Sequence, residues 1–307
     1  MWNFDESVNR EGTDCIKYDL RKETFGKADV IPMWVADMDF RTPDFITEAL
    51  RSRINHQIYG YTIRSEGYYG SIIDWHRRRH NWIIEKDWII FTPGVVPALN
   101  ISTLAFTDPG DSIIVQPPVY FPFFSAAEHH GRKLIYNRLA ETSDGWKMDL
   151  DALRRSIEKN TKMLILCNPH NPVGRTWSAD ELHQLADICL SNNILILSDE
   201  IHCDLVLPGY KHVPIATLSP EIASKTITLV APRKTFNIAG LSTSSAIISD
   251  PGLKKRFKRT VEGLHISNGN IFGAEASEAA YKNGDKWLDS LLEYINGNIG
   301  LAEDYFR

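Results

Sequence analysis

The chain has 307 residues, 43% of them hydrophobic and 24% charged, enough to bury the core of one large domain and a smaller second unit. A net charge of −5 argues against a general nucleic-acid binder, and no apolar run approaches the roughly 20 residues of a membrane span. The start, Met1-Trp2-Asn3-Phe4-Asp5-Glu6, has neither the basic end nor the apolar core of a secretory signal, and Cys15, Cys167, Cys189 and Cys203 show no CxxC spacing and no metal-ligand set, so a soluble cytoplasmic protein is expected.

Residues 1–41 are irregular and aromatic-rich, with the apolar run Ile31–Val35 followed by the acids Asp37 and Asp39. Thr42-Pro43 predicts a helix start, Thr as N-cap and Pro in the first position, with Phe45, Ile46, Ala49 and Leu50 on one face. Tyr59 and Tyr61 read as core aromatics, and Trp75 to His80 reads as a solvated basic helix face. Ile89-Ile90-Phe91 predicts a strand that turns at Gly94 into a helix beginning Val95-Val96-Pro97. Free N–H groups at a helix N-terminus make a phosphate site, although many such turns bind nothing.

Ser112 to Val115 predicts a buried strand ending near Tyr120, and Asp149 caps a short helix through Lys159. The strand Lys162–Cys167 runs into a double Asn-Pro turn, Asn168-Pro169-His170-Asn171-Pro172-Val173-Gly174, with His170 expected behind the site or exposed. Ser178-Ala179-Asp180-Glu181 is a capping box for a helix whose Leu182, Leu185, Ile188 and Cys189 face a sheet. Ile194–Leu197 and Thr226–Val230 are short, wholly apolar and β-branched, as strands buried on both faces of a parallel sheet are. They deliver Asp199 and Lys234 to the C-terminal strand edge, where open α/β sheets bind ligands. A buried Asp and a buried Lys there need partners, and a charged cofactor supplies both. Ala246–Ile248 is expected to close the sheet, followed by helices over 253–264, 272–281 and 287–306, the last broken at Gly297. The alternation from 87 to 248 predicts an α/β fold, a mainly parallel sheet with helices on both faces.

The segments Ser198-Asp199-Glu200-Ile201-His202 and Ala231-Pro232-Arg233-Lys234-Thr235-Phe236-Asn237, with the Gly94 and Asn171 turns before them, resemble the pyridoxal-phosphate (PLP) class I/II aminotransferase family of aspartate-aminotransferase fold. Within it, the cystathionine β-lyase/cysteine-S-conjugate β-lyase branch is the better match, and the resemblance covers nearly the whole chain. It implies PLP as cofactor and Lys234 as the catalytic lysine that carries PLP and moves a proton at Cα. It places Asp199 on the ring nitrogen, Asn171 on the phenolic oxygen, Tyr120 stacked on the ring, and the backbone of Val95 and Val96 on the phosphate. Tyr61 would reach the phosphate of a neighbouring subunit, implying a homodimer, and backbone near Val35 and Ala36 would face the carboxylate of an amino-acid substrate. His202 stands where many aminotransferases carry Tyr, which favours the lyase. The implied reaction is α,β-elimination on cystathionine or another cysteine S-conjugate to thiol, pyruvate and ammonia. An aminotransferase and a non-catalytic regulatory protein are the alternatives; keto-acid dependence and the yellow colour of a loaded protein separate them.

Two departures accompany the resemblance. Arg233 stands where relatives have serine before the lysine, and Ser242 stands eight positions after Lys234, where aminotransferases often have arginine. Arg233 is expected either to supply the missing phosphate charge or to displace the cofactor and depress the lysine pKa. The expected division is an arm and small-domain segment over 1–45, the large PLP-binding domain over 46–285, and a truncated small domain opening at 286–307. The family's substrate-carboxylate arginine would then lie beyond the chain.

Overall fold

The computed structural model describes residues 2–307. Its strands are β1 (Ile89–Thr92), β2 (Ser112–Val115), β3 (Lys133–Tyr136), β4 (Ala140–Thr142), β5 (Gly145–Lys147), β6 (Thr161–Cys167), β7 (Leu195–Asp199), β8 (Thr226–Val230) and β9 (Ser244–Ile247). Seven form one sheet in the order β1-β9-β8-β7-β6-β2-β3, while β4 and β5 make a separate hairpin. Neighbours from β8 to β3 are parallel, and β9 is antiparallel to both β1 and β8. Two antiparallel pairings in succession restore direction, so β1 points the same way as β8. Every strand of this sheet except β9 therefore ends on one common edge.

All residues of β7 and β8 are buried because helices cover both faces of the sheet. Side chains alternate between the faces. Ile113, Val115, Met163 and Ile165 pack with Leu99, Phe123 and Phe257, whereas Ile114, Leu164, Leu166 and Ile196 pack with Leu182, Leu185 and Cys189. A third cluster, around Trp75, Phe236 and Trp287, joins the β1–β9 end of the sheet to the arm, through Trp2, Phe4, Met38 and Phe40. The capping box at Ser178–Glu181 forms, and Cys167 and Cys189 are core residues.

Several local expectations are corrected. The strand expected to close the sheet, β9, lies inside it, and the half-exposed edge strand β3 carried too short an apolar run to be read. The first long helix begins at Asp44 with Pro43 as N-cap, because the Thr42 hydroxyl instead donates to the Asn237 carbonyl (3.2 Å). Trp75 and His76 are buried, since the basic helix Glu66–His80 also has an apolar stripe. Tyr59 and Tyr61 are exposed, Tyr61 fully (100%), because the segment before that helix runs along the surface, where Tyr59 meets Phe272 from one side (5.7 Å between ring centres). The helix Asp285–Phe306 passes Gly297 unbroken; an exposed glycine costs about 1 kcal/mol there, too little to end a helix of 22 residues. Among the described residues no helix is long and apolar enough to cross a membrane.

Candidate active site

The common edge collects the candidate residues. Gly94 follows β1, Lys234 follows β8, Asp199 ends β7, Asn171 follows β6 and Tyr120 follows β2. Their order across the sheet follows the strand order, with the reversal between β2 and β6 opening a crevice between the Tyr120 and Asn171 turns. His170 ties those two turns together. It is buried, and its Nε2 donates to the Pro118 carbonyl (2.9 Å). The Asn171 N–H donates to Cys167 Sγ (3.3 Å), which sets the turn on the end of β6.

Asp199 is buried at the end of β7, and its carboxylate accepts one hydrogen bond, from the Ile201 N–H (3.1 Å). Burial pushes its pKa up to about 7, with the Ile201 N–H, Arg233 and Lys234 pulling the other way. The neighbouring acids are differently served. Glu200 accepts from Ser198 (2.8 Å), His212 (2.8 Å) and the Ile215 N–H (3.3 Å). Asp204 accepts from Trp75 (3.0 Å), His80 (2.7 Å) and Thr235 (2.8 Å). Burial alone would raise the Asp204 pKa, yet His80 and the groups around it hold it well below the usual range. Glu200 and Asp204 are thus structural anchors, and Asp204 fixes Thr235, the residue after Lys234. Asp199 alone lacks a full set of partners.

The Lys234 ammonium donates to the Ala36 carbonyl (2.8 Å), which brings the arm to the sheet edge. Burial, then the neighbouring Arg233 charge, lowers its pKa. His202 shares this environment; burial and Lys234 push its pKa down to about 4, so its imidazole is neutral. Tyr120 is half-buried, and burial and the Asp199 charge raise its phenol pKa. A cavity of about 1100 Å³ opens beside the edge, lined by Ala36, Trp146, Asn171, His202 and Tyr210. Ala36 is therefore brought to Lys234, while Tyr61 faces a different opening, beside Arg53 and Glu278.

Sequence reasoning passed over Asn237. Its side chain accepts from the Met38 N–H (2.9 Å) and donates to the carbonyls of Met38 (2.9 Å) and Phe40 (2.8 Å), clamping the arm to the Lys234 turn. Asp37 and Asp39 are held in turn by Arg10 (2.6 and 2.7 Å) and Lys17 (2.7 Å to Asp39). No local pattern announces these contacts; Asn237 and Met38 are 199 residues apart.

The residues present suit a flat, bipolar, phosphorylated cofactor. A buried carboxyl short of partners can take a cationic ring nitrogen, a half-buried amine can take a carbonyl carbon, and the helix Val95–Phe106 presents an N-terminus with no side-chain cap and no acid in its first turn. This combination suits a PLP enzyme of aspartate-aminotransferase-like fold. The sequence profile of aminotransferase class I and II matches residues 28–300, and the chain belongs to that family. Cystathionine beta-lyase PatB of Bacillus subtilis is 44% identical over 99% of this chain and 79% of its own length. The crystal structure of cystalysin from Treponema denticola, which contains pyridoxal 5'-phosphate, superposes with a TM-score of 0.96 at 38% identity, over 100% of this chain and 78% of that one. The PLP-bound C-S lyase of Staphylococcus hominis gives 0.92 at 34% identity, over 99% and 77%.

Proposed function

We propose that the chain is a PLP-dependent carbon–sulfur β-lyase that converts cystathionine or another cysteine S-conjugate and water into a thiol, pyruvate and ammonia. The observation that carries the chemistry is the convergence of an under-partnered buried Asp199 and the Lys234 amine on one sheet edge. His202 within the Asp-Glu-Ile-His sequence and the C-S lyase relatives favour elimination over transfer.

When bound, PLP supplies an electron sink for negative charge at the substrate Cα. Lys234 would hold the cofactor through its amine, and Asp199 would keep a proton on the ring nitrogen. Tyr120 would lie on the ring face, Asn171 would donate to the phenolic oxygen, and the Val95 and Val96 N–H groups would meet the phosphate. The Lys234 amine, its pKa lowered first by burial, would take the substrate Cα proton. Loss of that proton expels the thiolate from Cβ. The backbone of Val35 and Ala36 would border the substrate end; in support, Ala36 meets Lys234 and Asn237 clamps the arm at Met38. The neutral His202 imidazole adds a hydrogen-bonding group beside Lys234 without a competing positive charge.

We further read the active unit as a homodimer in which Tyr61 crosses to the partner's site. Its full exposure, with Ile58 (66%) and Ile63 (92%) nearby in sequence, supports this. A reducing cytoplasmic setting suits the four free cysteines, three of them buried.

The test is turnover of cystathionine by the PLP-loaded protein. Pyruvate and thiol are expected to appear together without an added keto acid, and Lys234→Ala should lower the rate by about a thousandfold or more. Borohydride should fix the cofactor's mass on the peptide containing Lys234. Turnover that requires a keto acid would replace the lyase reading with a transaminase one.

A further inference from the structure

Arg233 stands next to Lys234 with its guanidinium turned to the end of β1. Its Nη1 is so near Gly94 that a Cβ there would lie 2.6 Å from it, so only glycine leaves room for this arrangement. The Arg233 Nε is buried without a hydrogen-bond partner, and no carboxylate pairs with the guanidinium among the described residues. Arg64 shares an orphaned Nε, but its guanidinium lies on the Phe91 ring (3.7 Å) and donates to the Asn268 carbonyl (3.1 Å), and two further buried cations are fully served. Arg132 donates to the Thr107 hydroxyl (2.8 Å) and to two carbonyls, and Lys17 to Asp39 (2.7 Å).

Gly94 is the N-cap of the helix Val95–Phe106, whose first turn carries neither an acid nor a side-chain cap. A guanidinium therefore faces the positive end of a helix of 12 residues. Two positive groups in a partly dry site repel each other unless an anion sits between them. Tyr120 and Asp199 offset the burial of Arg233 only in part. The same turn leaves the Val95 and Val96 N–H groups free of side-chain acceptors.

We propose that Arg233 is the charged ligand of the cofactor phosphate, its guanidinium and the first-turn N–H groups of Val95–Phe106 taking one phosphate monoester dianion between them. This rests on the PLP reading above. It assigns the anion to the phosphate rather than to the substrate carboxylate, because the cradle lies at Gly94, whereas the arm that borders the substrate end meets Lys234 at Ala36. The phosphate would also neutralise the cation beside Lys234, so loading with PLP would ease the pressure on that amine.

The experiment compares equilibrium binding of PLP with that of pyridoxal, which lacks the phosphate, in wild type, Arg233→Ser and Arg233→Gln. A charge-assisted contact of this kind corresponds to a loss of about tenfold to a hundredfold in PLP affinity. Pyridoxal affinity should stay within about twofold. The salt dependence of PLP binding should also flatten in both variants. Inorganic phosphate should compete with PLP for the wild-type protein and compete less for the variants. Unchanged or tighter PLP binding by the variants overturns the proposal, as does an equal loss for PLP and pyridoxal. Should the serine variant not fold, the glutamine variant, which keeps the stem and loses the charge, carries the same comparison. Wild-type protein that binds no PLP, or Lys234→Ala that binds it as tightly as wild type, would instead defeat the cofactor assignment itself.

Discussion

At the scale of single residues, three buried acids within the stretch 199–204 differ in what satisfies them, and that difference separates chemistry from architecture. The Glu200 carboxylate accepts three hydrogen bonds and that of Asp204 four, the fourth from the Cys203 thiol, whereas that of Asp199 accepts one. A site prepared for a ligand carries such a deficit, since the ligand completes it. The deficit has a pH signature in the cofactor-free protein. The Asp199 pKa is about 7 in the fold against 3.8 as its ordinary value, so the native state binds its proton more tightly than the unfolded chain does. Its stabilising effect is complete below about pH 4 and is lost as pH rises through about 7. Asp199→Asn cannot ionise and escapes this loss. Denaturation of cofactor-free proteins should find the two equally stable near pH 4 and the variant ahead by up to about 4 kcal/mol at pH 8. Parallel pH profiles would show that the carboxyl already has its partner. The same variant should bind PLP more weakly, because it cannot counter a cationic ring nitrogen.

At the scale of elements, the short turn Pro232–Thr235 is held from two sides. Asp204 grips Thr235 from within the core, and Asn237 grips the arm at Met38 and Phe40. Asn237 sits at φ 56°, a left-handed conformation that asparagine tolerates better than most residues. Asn237→Gly keeps that freedom and removes only the side-chain bonds. The expected loss is about 1–3 kcal/mol of stability, with faster amide exchange at Met38 and a KM that rises more than kcat falls. An unchanged exchange rate at Met38 would show that the ion pairs of Arg10 and Lys17 hold the arm by themselves. None of this was legible in the chain, because the partners are nearly 200 residues apart. The strands β6, β7 and β8 were legible, since each contains a short buried run rich in apolar and β-branched residues, as strands of a doubly covered sheet do.

At the scale of the whole molecule, the shared site predicted for a dimer has a direct test. Lys234→Ala and Tyr61→Ala are each expected to be inactive alone. Mixed and re-equilibrated, they should regain about a quarter of wild-type activity, because half the dimers then hold one site with both native residues. No recovery, with both variants still dimeric in sedimentation, would place Tyr61 in its own subunit's chemistry or outside chemistry altogether. Exposed apolar residues at Ile31 (88%), Met33 (92%) and Ile63 (92%) mark further surface that a second copy would cover.

Sequence by itself determined the parallel α/β layering, the delivery of Asp199, Asn171, Tyr120 and Lys234 to strand ends, and the capping of the helix at Ser178. These are local matters of apolar period, β-branching and turn chemistry, written in consecutive residues. Tertiary structure decided the rest. The antiparallel insertion of β9 turns the end of β1, and with it Gly94, onto the same edge as Lys234. That placement sets an unpaired Arg233 against a helix N-terminus, and the arm's return brings Ala36 to the lysine. Such contacts join segments far apart along the chain, and only the folded backbone specifies which distant groups share a dielectric and a charge.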